Sequence, residues 1–341
     1  MIALETHAPA VARRPRLGFL GVGWIGRHRM SAILAEGAGE AVAVADATAA
    51  ALAGAREAAP ECAIGRDLDD LLARDDLDGV VIATPSALHA EQAIRALERG
   101  IAVFCQKPLG RNATEVRRVV EAARAAGRLL GVDLSYRHVA GMDRVRALVQ
   151  DGALGEVYAV NLVFHNAYGP DKAWFYDADQ SGGGCVMDLG IHLVDLALWT
   201  LGWPIVHEVR STLRAGGRRV RGRDSGVVED FAAAQLELSN GAAVQLACSW
   251  RLPAGQDCLV EAAFYGTRGG AVLRNVNGSF YDFLVERTEG TRRETLAAPP
   301  DAWGGRAAVA WARALAAGGR FDPEVEKLAD VAATLDRIYE G

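Results

Sequence analysis

LGFLGVGWIGRHR, residues 17–29, is the stretch on which the fold turns. A short apolar run, Leu17 to Leu20, ends in glycine, and Gly21, Gly23 and Gly26 stand in GxGxxG spacing ahead of a helix-like segment. Each glycine has its own task. Gly21 permits a tight turn, Gly23 lets backbone approach a pyrophosphate, and Gly26 lets the helix lie on the strand. Trp24 and Ile25 fill the two free positions, at a helix N-terminus whose unpaired N–H groups favour phosphate. Asp46 closes the next apolar run twenty residues after Gly26, where a carboxylate can accept hydrogen bonds from an adenosine ribose diol. The alternative is that Asp46 only caps the helix that follows. Its charge would repel a 2′-phosphate and no arginine directly follows it, so NAD is expected in preference to NADP.

Outward from this cradle the chain alternates. RLGFLG (16–21), AVAVAD (41–46), DGVVIAT (78–84), IAVFC (101–105) and RLLGVD (128–133) read as strands, with amphipathic helical stretches between them. That rhythm predicts right-handed βαβ crossovers and a doubly wound parallel sheet, a Rossmann domain over 16–135. NATE (112–115) has the composition of a capping box. From residue 136 to 341 the pattern changes to an α+β domain. Helices over 142–152 and 187–202 accompany long alternating runs at 156–166, 229–240, 241–250, 257–266 and 279–287, which predict a large, mostly antiparallel open sheet. One face of that sheet is left over for another subunit.

Composition narrows the partner. A chain of 341 residues suits two domains, and a net charge of −6 argues against nucleic acid or an anionic membrane surface. The five cysteines are odd in number and scattered without CxxC, which excludes a disulfide framework and a zinc site; no metal is expected. The opening MIALETHAPAVARRPR has no apolar core segment, and residues 1–15 read as a disordered leader. No stretch reads as a membrane span, so the expected setting is the cytoplasm and the expected partner a small molecule.

Lysine is rare here: it occurs only at Lys107, Lys172 and Lys327. Lys107 lies in FCQKPLG (104–110), just past the carboxyl end of a predicted strand, where doubly wound sheets bind ligands. Nicotinamide chemistry on an alcohol needs a group that can take and release a proton, which lysine can do and arginine cannot. A solvated loop lysine is the competing reading. A second cluster, GGGCVMDLGIHLVDLALW (182–199), puts Asp188 and His192 at i and i+4 on a helix, with Asp195 three positions on; a surface ion pair is its plain alternative. The glycines at 182–184 suggest close passage past something bulky, such as a ligand wall. Thr84, Pro85 and His89 follow a strand end near the cofactor, as do Gln106 and Lys107. Arg137, His165, Tyr168, Trp174 and Trp250 are candidates to line a sugar pocket.

With GVGWIG, ATPSALHAEQAIRALERGIAVFCQKPL, SGGGCVMDLGIHLVDLALWTLG and EDFAAAQLELSNGAAVQLACSW quoted together with YGTRGG, the chain resembles the Gfo/Idh/MocA family of NAD(P)-dependent oxidoreductases from Arg16 onward. The resemblance implies that Lys107 is the lysine of the family's EKP signature. Asp188 and His192 would be its aspartate and histidine at the sugar carbon. His192 would accept the proton while Lys107 bonds the reacting hydroxyl, or the two roles exchange. It further implies a sugar, inositol or polyol substrate, and a homodimer or homotetramer built through the C-terminal sheet. One departure is plain: Gln106 stands where the signature has glutamate, which alters the field at the nicotinamide and at Lys107. Two other functions stay open: an enzyme that recycles tightly bound NAD during elimination or glycoside cleavage, and a non-catalytic NAD-binding regulator.

Overall fold

In the computed structural model, which describes residues 13–223 and 226–341, two sheets organise the chain. The first is six-stranded and parallel, in the order 3-2-1-4-5-6. Its strands are β1 (Arg16–Leu20), β2 (Glu40–Ala45), β3 (Ala63–Gly65), β4 (Gly79–Ile82), β5 (Ala102–Cys105) and β6 (Leu130–Val132). The connections carry α1 (Trp24–Ala35), α2 (Ala49–Ala58), α3 (Leu68–Leu72), α4 (Ser86–Glu98) and α5 (Ala113–Ala126). Helices cover both faces, so β4 and β5 are buried at every residue, and unbroken apolar runs are what such strands require. β3 escaped the sequence reading because it is three residues long, with only Gly65 buried. The order reverses between β1 and β4, which opens a crevice at their carboxyl ends.

Helix α5 starts as its sequence implies, with Asn112 Oδ1 accepting the Glu115 N–H at 2.9 Å. The returning arm differs from a capping box: Glu115 accepts from the Arg111 N–H instead and clasps the Arg111 guanidinium. Residues 1–12 of the expected leader lie outside the described residues. Arg13 pairs with Asp78 at 2.7 Å, and the Pro15 carbonyl accepts from Glu40, so ordered structure begins before Arg16.

The second sheet has nine strands, in the order β15-β14-β13-β12-β7-β11-β10-β8-β9. They are β7 (Val157–Asn166), β8 (Val206–Ala215), β9 (Arg218–Val220), β10 (Phe231–Leu238), β11 (Ala243–Ser249), β12 (Cys258–Gly266), β13 (Gly270–Asn275), β14 (Phe283–Glu289) and β15 (Arg292–Ala297). Only the β7–β11 pairing is parallel. Helices α6 (Met142–Gln150), α7 (Ala178–Ser181), α8 (Ile191–Thr200), α9 (Arg306–Ala316) and α10 (Lys327–Glu340) complete the chain. Along β7, Val160, Leu162 and Phe164 face the core built with α8, while Asn161 and Val163 face the open side. The run at 279–287 becomes strand only from Phe283, because the Ser279 hydroxyl accepts from the backbone of Tyr281 and Asp282 and makes a turn.

Helix α9 follows the second sheet in sequence yet packs on the first. Trp311 meets Phe104 at 5.7 Å between ring centroids, and glycines 79 and 131 leave room for it: a Cβ at either would lie within 3 Å of the indole. The stretch Ala178–Thr200 corrects one expectation. By length and composition it could cross a membrane, but 89% of its most apolar window is buried in the second core.

Candidate active site

The cradle is tight where the chain needs it tight and open where a ligand would lie. Gly21 has φ +80°, and a Cβ there would sit 2.6 Å from the Ala83 carbonyl oxygen and 2.8 Å from the Thr84 nitrogen. A Cβ on Gly26 would fall 1.9 Å from the Gly21 carbonyl oxygen. At Gly23 a Cβ would meet nothing within 4 Å. This is the geometry a pyrophosphate needs above the second glycine. Asp46 Oδ2 accepts the Val22 N–H at 2.8 Å, and Oδ1 takes the N–H and hydroxyl of Thr48. It therefore pins the glycine loop to the end of β2 rather than capping α2, whose N-cap is Thr48. Trp24 is 63% exposed at the head of α1, and Thr84 and Pro85 lead into α4.

Across the crevice, Lys107 Nζ donates to Asp188 Oδ1 at 2.8 Å and to the Asp188 carbonyl at 2.7 Å. The second Asp188 oxygen accepts the Trp250 indole N–H at 3.0 Å. Asp188 lies in a π turn, Val186–Gly190, that precedes α8, so the anticipated helix opens with a wider turn at its most polar position. His192, on the first turn of α8, packs against Tyr136 at 4.8 Å and Phe164 at 6.4 Å. Its Nδ1 is buried without a partner. Burial, then the charges of Lys107 and Arg29, hold its pKa well below the usual imidazole value, so the ring is neutral at pH 7.

Several anticipated residues are not delivered to this cluster. His89 is buried, with Nδ1 2.7 Å from the Pro108 carbonyl and Nε2 2.7 Å from the Thr84 carbonyl; it braces two crevice loops and has no free atom for a cofactor. Only a doubly protonated ring satisfies both carbonyls, while burial pushes its pKa down. Arg137 is taken by Asp195, with Nε to Oδ2 at 2.8 Å, and lies over Trp199 and Trp203; it ties the chain after β6 to α8 rather than facing a sugar. His165 follows the open-side alternation of β7: it stacks on Phe231 and meets Ser249 Oγ at 2.8 Å, away from His192. The glycine run at 182–184 makes its close approaches to Arg111, Tyr339 and Glu229, not to a ligand. Tyr168 is half exposed, and Trp174 stacks on Phe175, whose edge meets Trp250.

The sequence reading missed four contributors. Trp250 appeared only as a pocket candidate, whereas its N–H fixes Asp188. Tyr136 packs on His192 among Phe164, Phe283 and Trp303. Buried Glu229 accepts from the backbone N–H groups of Gly184 and Val186 and from the Tyr339 hydroxyl, and so anchors the π turn from below. Asp133 accepts from Gln106 and Arg29 beneath Lys107. Only a residue-by-residue sense of register would have found these, since each acts through contacts with segments distant in sequence.

A dinucleotide cradle facing a lysine, an aspartate and a neutral histidine defines an NAD(P)-dependent oxidoreductase of two-domain design. Family models agree: an oxidoreductase family with NAD-binding Rossmann fold matches residues 15–134, and the GFO/IDH/MocA C-terminal domain matches residues 142–272. The chain belongs to the Gfo/Idh/MocA oxidoreductase family. Inositol 2-dehydrogenase of Rhizobium meliloti is 31% identical over 260 residues, 76% of each chain. A levoglucosan dehydrogenase in complex with NADH and levoglucosan has the same fold, with TM-score 0.81 at 20% identity over 96% of each chain. A 3-ketoreductase from Actinomadura kijaniata in complex with NADP and TDP-benzene gives TM-score 0.79 at 24% identity, over 95% of this chain and 96% of that one. Among the described residues no group of side chains is arranged to hold a metal ion.

Proposed function

We propose that this protein is an NAD-dependent dehydrogenase acting on a ring hydroxyl, or in reverse a ring ketone, of a sugar, cyclitol or sugar derivative. The observation that carries the reading is the Lys107–Asp188 contact at 2.8 Å, which joins segments 81 residues apart beside His192 at the crevice. The dinucleotide, when bound, supplies the hydride acceptor. Gly21, Gly23, Trp24, Ile25 and Gly26 hold its pyrophosphate, Asp46 its adenosine ribose, and Thr84, Pro85, Gln106 and Lys107 its nicotinamide end. Asp46 stands where a 2′-phosphate would lie, which favours NAD over NADP.

In the oxidation, Lys107 Nζ donates to the reacting oxygen while Asp188 and Trp250 keep the amine in place. His192 Nε2, the ring nitrogen left without a protein partner, accepts the hydroxyl proton. The neutral ring is suited to accepting. Tyr168 and Trp174 form an aromatic lip on which a sugar face can stack. The open face of the nine-stranded sheet, with Tyr158 and Leu259 exposed on its strands, is the surface for a homodimer or homotetramer. Five buried, unpaired cysteines suit a reducing cytoplasm. The test is a screen of sugars, sugar acids and inositols, followed by nicotinamide absorbance with NAD and NADP in parallel. Reduction with a cyclic polyol supports the reading, and silence across the panel with both nucleotides defeats it.

A further inference from the structure

Gln106 and Asp133 follow neighbouring strands, β5 and β6, and their side chains meet directly beneath Lys107. Gln106 Nε2 donates to Asp133 Oδ2 at 2.8 Å, while Gln106 Oε1 accepts the Lys107 backbone N–H at 3.0 Å. The amide orientation is forced by its partners, since a carboxylate can only accept and an N–H can only donate. Asp133 is 1% exposed. Its Oδ2 also takes Arg29 Nε at 2.5 Å, and its Oδ1 takes the Ser135 hydroxyl. Arg29, from the cofactor helix α1, reaches Ser135 Oγ at 3.2 Å and His28 Nδ1 at 2.9 Å. One buried guanidinium thus faces one buried carboxylate, and an amide links that pair to the backbone of the catalytic lysine.

A glutamate at 106 would set a second carboxylate at hydrogen-bond distance from the first, with a single guanidinium to serve both. Two carboxylates so close and so dry do not both stay ionised. One would have to turn away, and the turn would release the Lys107 N–H. The amide fits because the negative charge is already on β6.

We propose that Gln106 is a positioning residue, and that Arg29, Asp133 and Gln106 work as one charge-balanced unit that sets the backbone of Lys107 and thereby seats its amine on Asp188. The carboxylate and the amide are interchangeable between the two strands only as a pair. This inference rests on the dehydrogenase reading for its kinetic readout alone.

The test compares wild type with Gln106→Glu, Asp133→Asn and the double variant, as full-length protein. Each single change should lower kcat about 10- to 100-fold with the KM for cofactor changed less, and should lower the melting midpoint. The double variant restores one carboxylate, one amide and one guanidinium, and should recover kcat to within about threefold of wild type, a strongly non-additive result. A readout free of turnover comes from the chain having only three lysines. With isotope-labelled lysine, the Lys107 side-chain resonance should move in each single variant and return in the double, while those of Lys172 and Lys327 stay fixed. Additive effects on melting and kcat overturn the unit, as does a Gln106→Glu protein that matches wild type. A destabilised Gln106→Glu protein with an unmoved Lys107 resonance and wild-type kcat overturns the positioning role. Should wild type turn over no polyol, the dehydrogenase reading falls by itself, and the melting and resonance data still decide this one.

Discussion

Lys107 holds Asp188 at two points, the carboxylate at 2.8 Å and the backbone carbonyl at 2.7 Å, so the loop after β5 and the π turn before α8 are tied at the place where the two sheets face each other. The amine has no freedom to trail into solvent. Removing it should separate chemistry from binding. Lys107→Ala is expected to lower kcat at least about 100-fold while leaving the dissociation constant for NADH within about fivefold, measured by fluorescence titration. Lys107→Arg should not rescue it, because guanidinium neither gives up a proton nor matches the geometry of a point donor.

The three cradle glycines should fail in different ways. A Cβ on Gly26 meets the Gly21 carbonyl oxygen at 1.9 Å, so Gly26→Ala is expected to destabilise the fold by about 2–3 kcal/mol in urea unfolding. Gly23 has empty space above it. Gly23→Ala should therefore leave unfolding within about 0.5 kcal/mol of wild type and weaken dinucleotide binding at least about tenfold. Equal loss of stability in both variants would mean that the open space above Gly23 is not kept for a ligand.

The π turn hangs from Glu229. Its carboxylate takes two backbone N–H groups and the Tyr339 hydroxyl in a buried site, and burial pushes its pKa up. Glu229→Ala strands those donors and should cost about 2–4 kcal/mol of stability. Tyr339→Phe removes one bond and should cost about 1 kcal/mol. Because the turn carries Asp188, kcat should fall in the first variant and hold in the second, a contrast that steady-state kinetics reads directly.

Histidine makes the fold acid-labile. His28, His138, His165 and His192 all have pKa values lowered, in each case first by burial. A group with folded pKa below its unfolded value binds more protons when unfolded, so stability rises with pH through that window. The contribution is complete above about pH 6.5 and is lost as pH falls toward the folded values. Asp195 and Glu229, pushed upward by burial, take up protons earlier in the folded chain and offset part of the loss. Urea midpoints should therefore drop between about pH 7 and 5, and His192→Gln should show a shallower drop. A flat profile in wild type would contradict the burial of these rings.

Arg137 should behave as a brace. Arg137→Ala leaves Asp195 buried and unpaired, which is expected to cost about 3–5 kcal/mol. The KM for a sugar measured on the surviving folded protein should stay within about threefold of wild type; a large rise in KM with stability intact would return Arg137 to the substrate pocket.

Periodicity and punctuation were enough for the parallel sheet, the glycine cradle and the pairing of chemistry-bearing types at Lys107, Asp188 and His192, because each of these is a local matter of spacing: apolar runs for doubly covered strands, three glycines for a close backbone approach, i and i+4 for one helix face. The short edge strand β3 and strands β8, β9, β13 and β15 carried too few apolar residues to announce themselves. Side-chain partners were a different question. His165 and Phe164 are adjacent in sequence, and only the pairing register of β7 sends one to the open face and the other to His192. Arg137 and Asp195, Glu229 and the glycine run, and Gln106 and Asp133 are pairs whose members lie on different elements. Their meeting depends on how the elements pack, which no local pattern contains. The tertiary structure alone decided which polar groups were used up as braces and which were left facing the crevice.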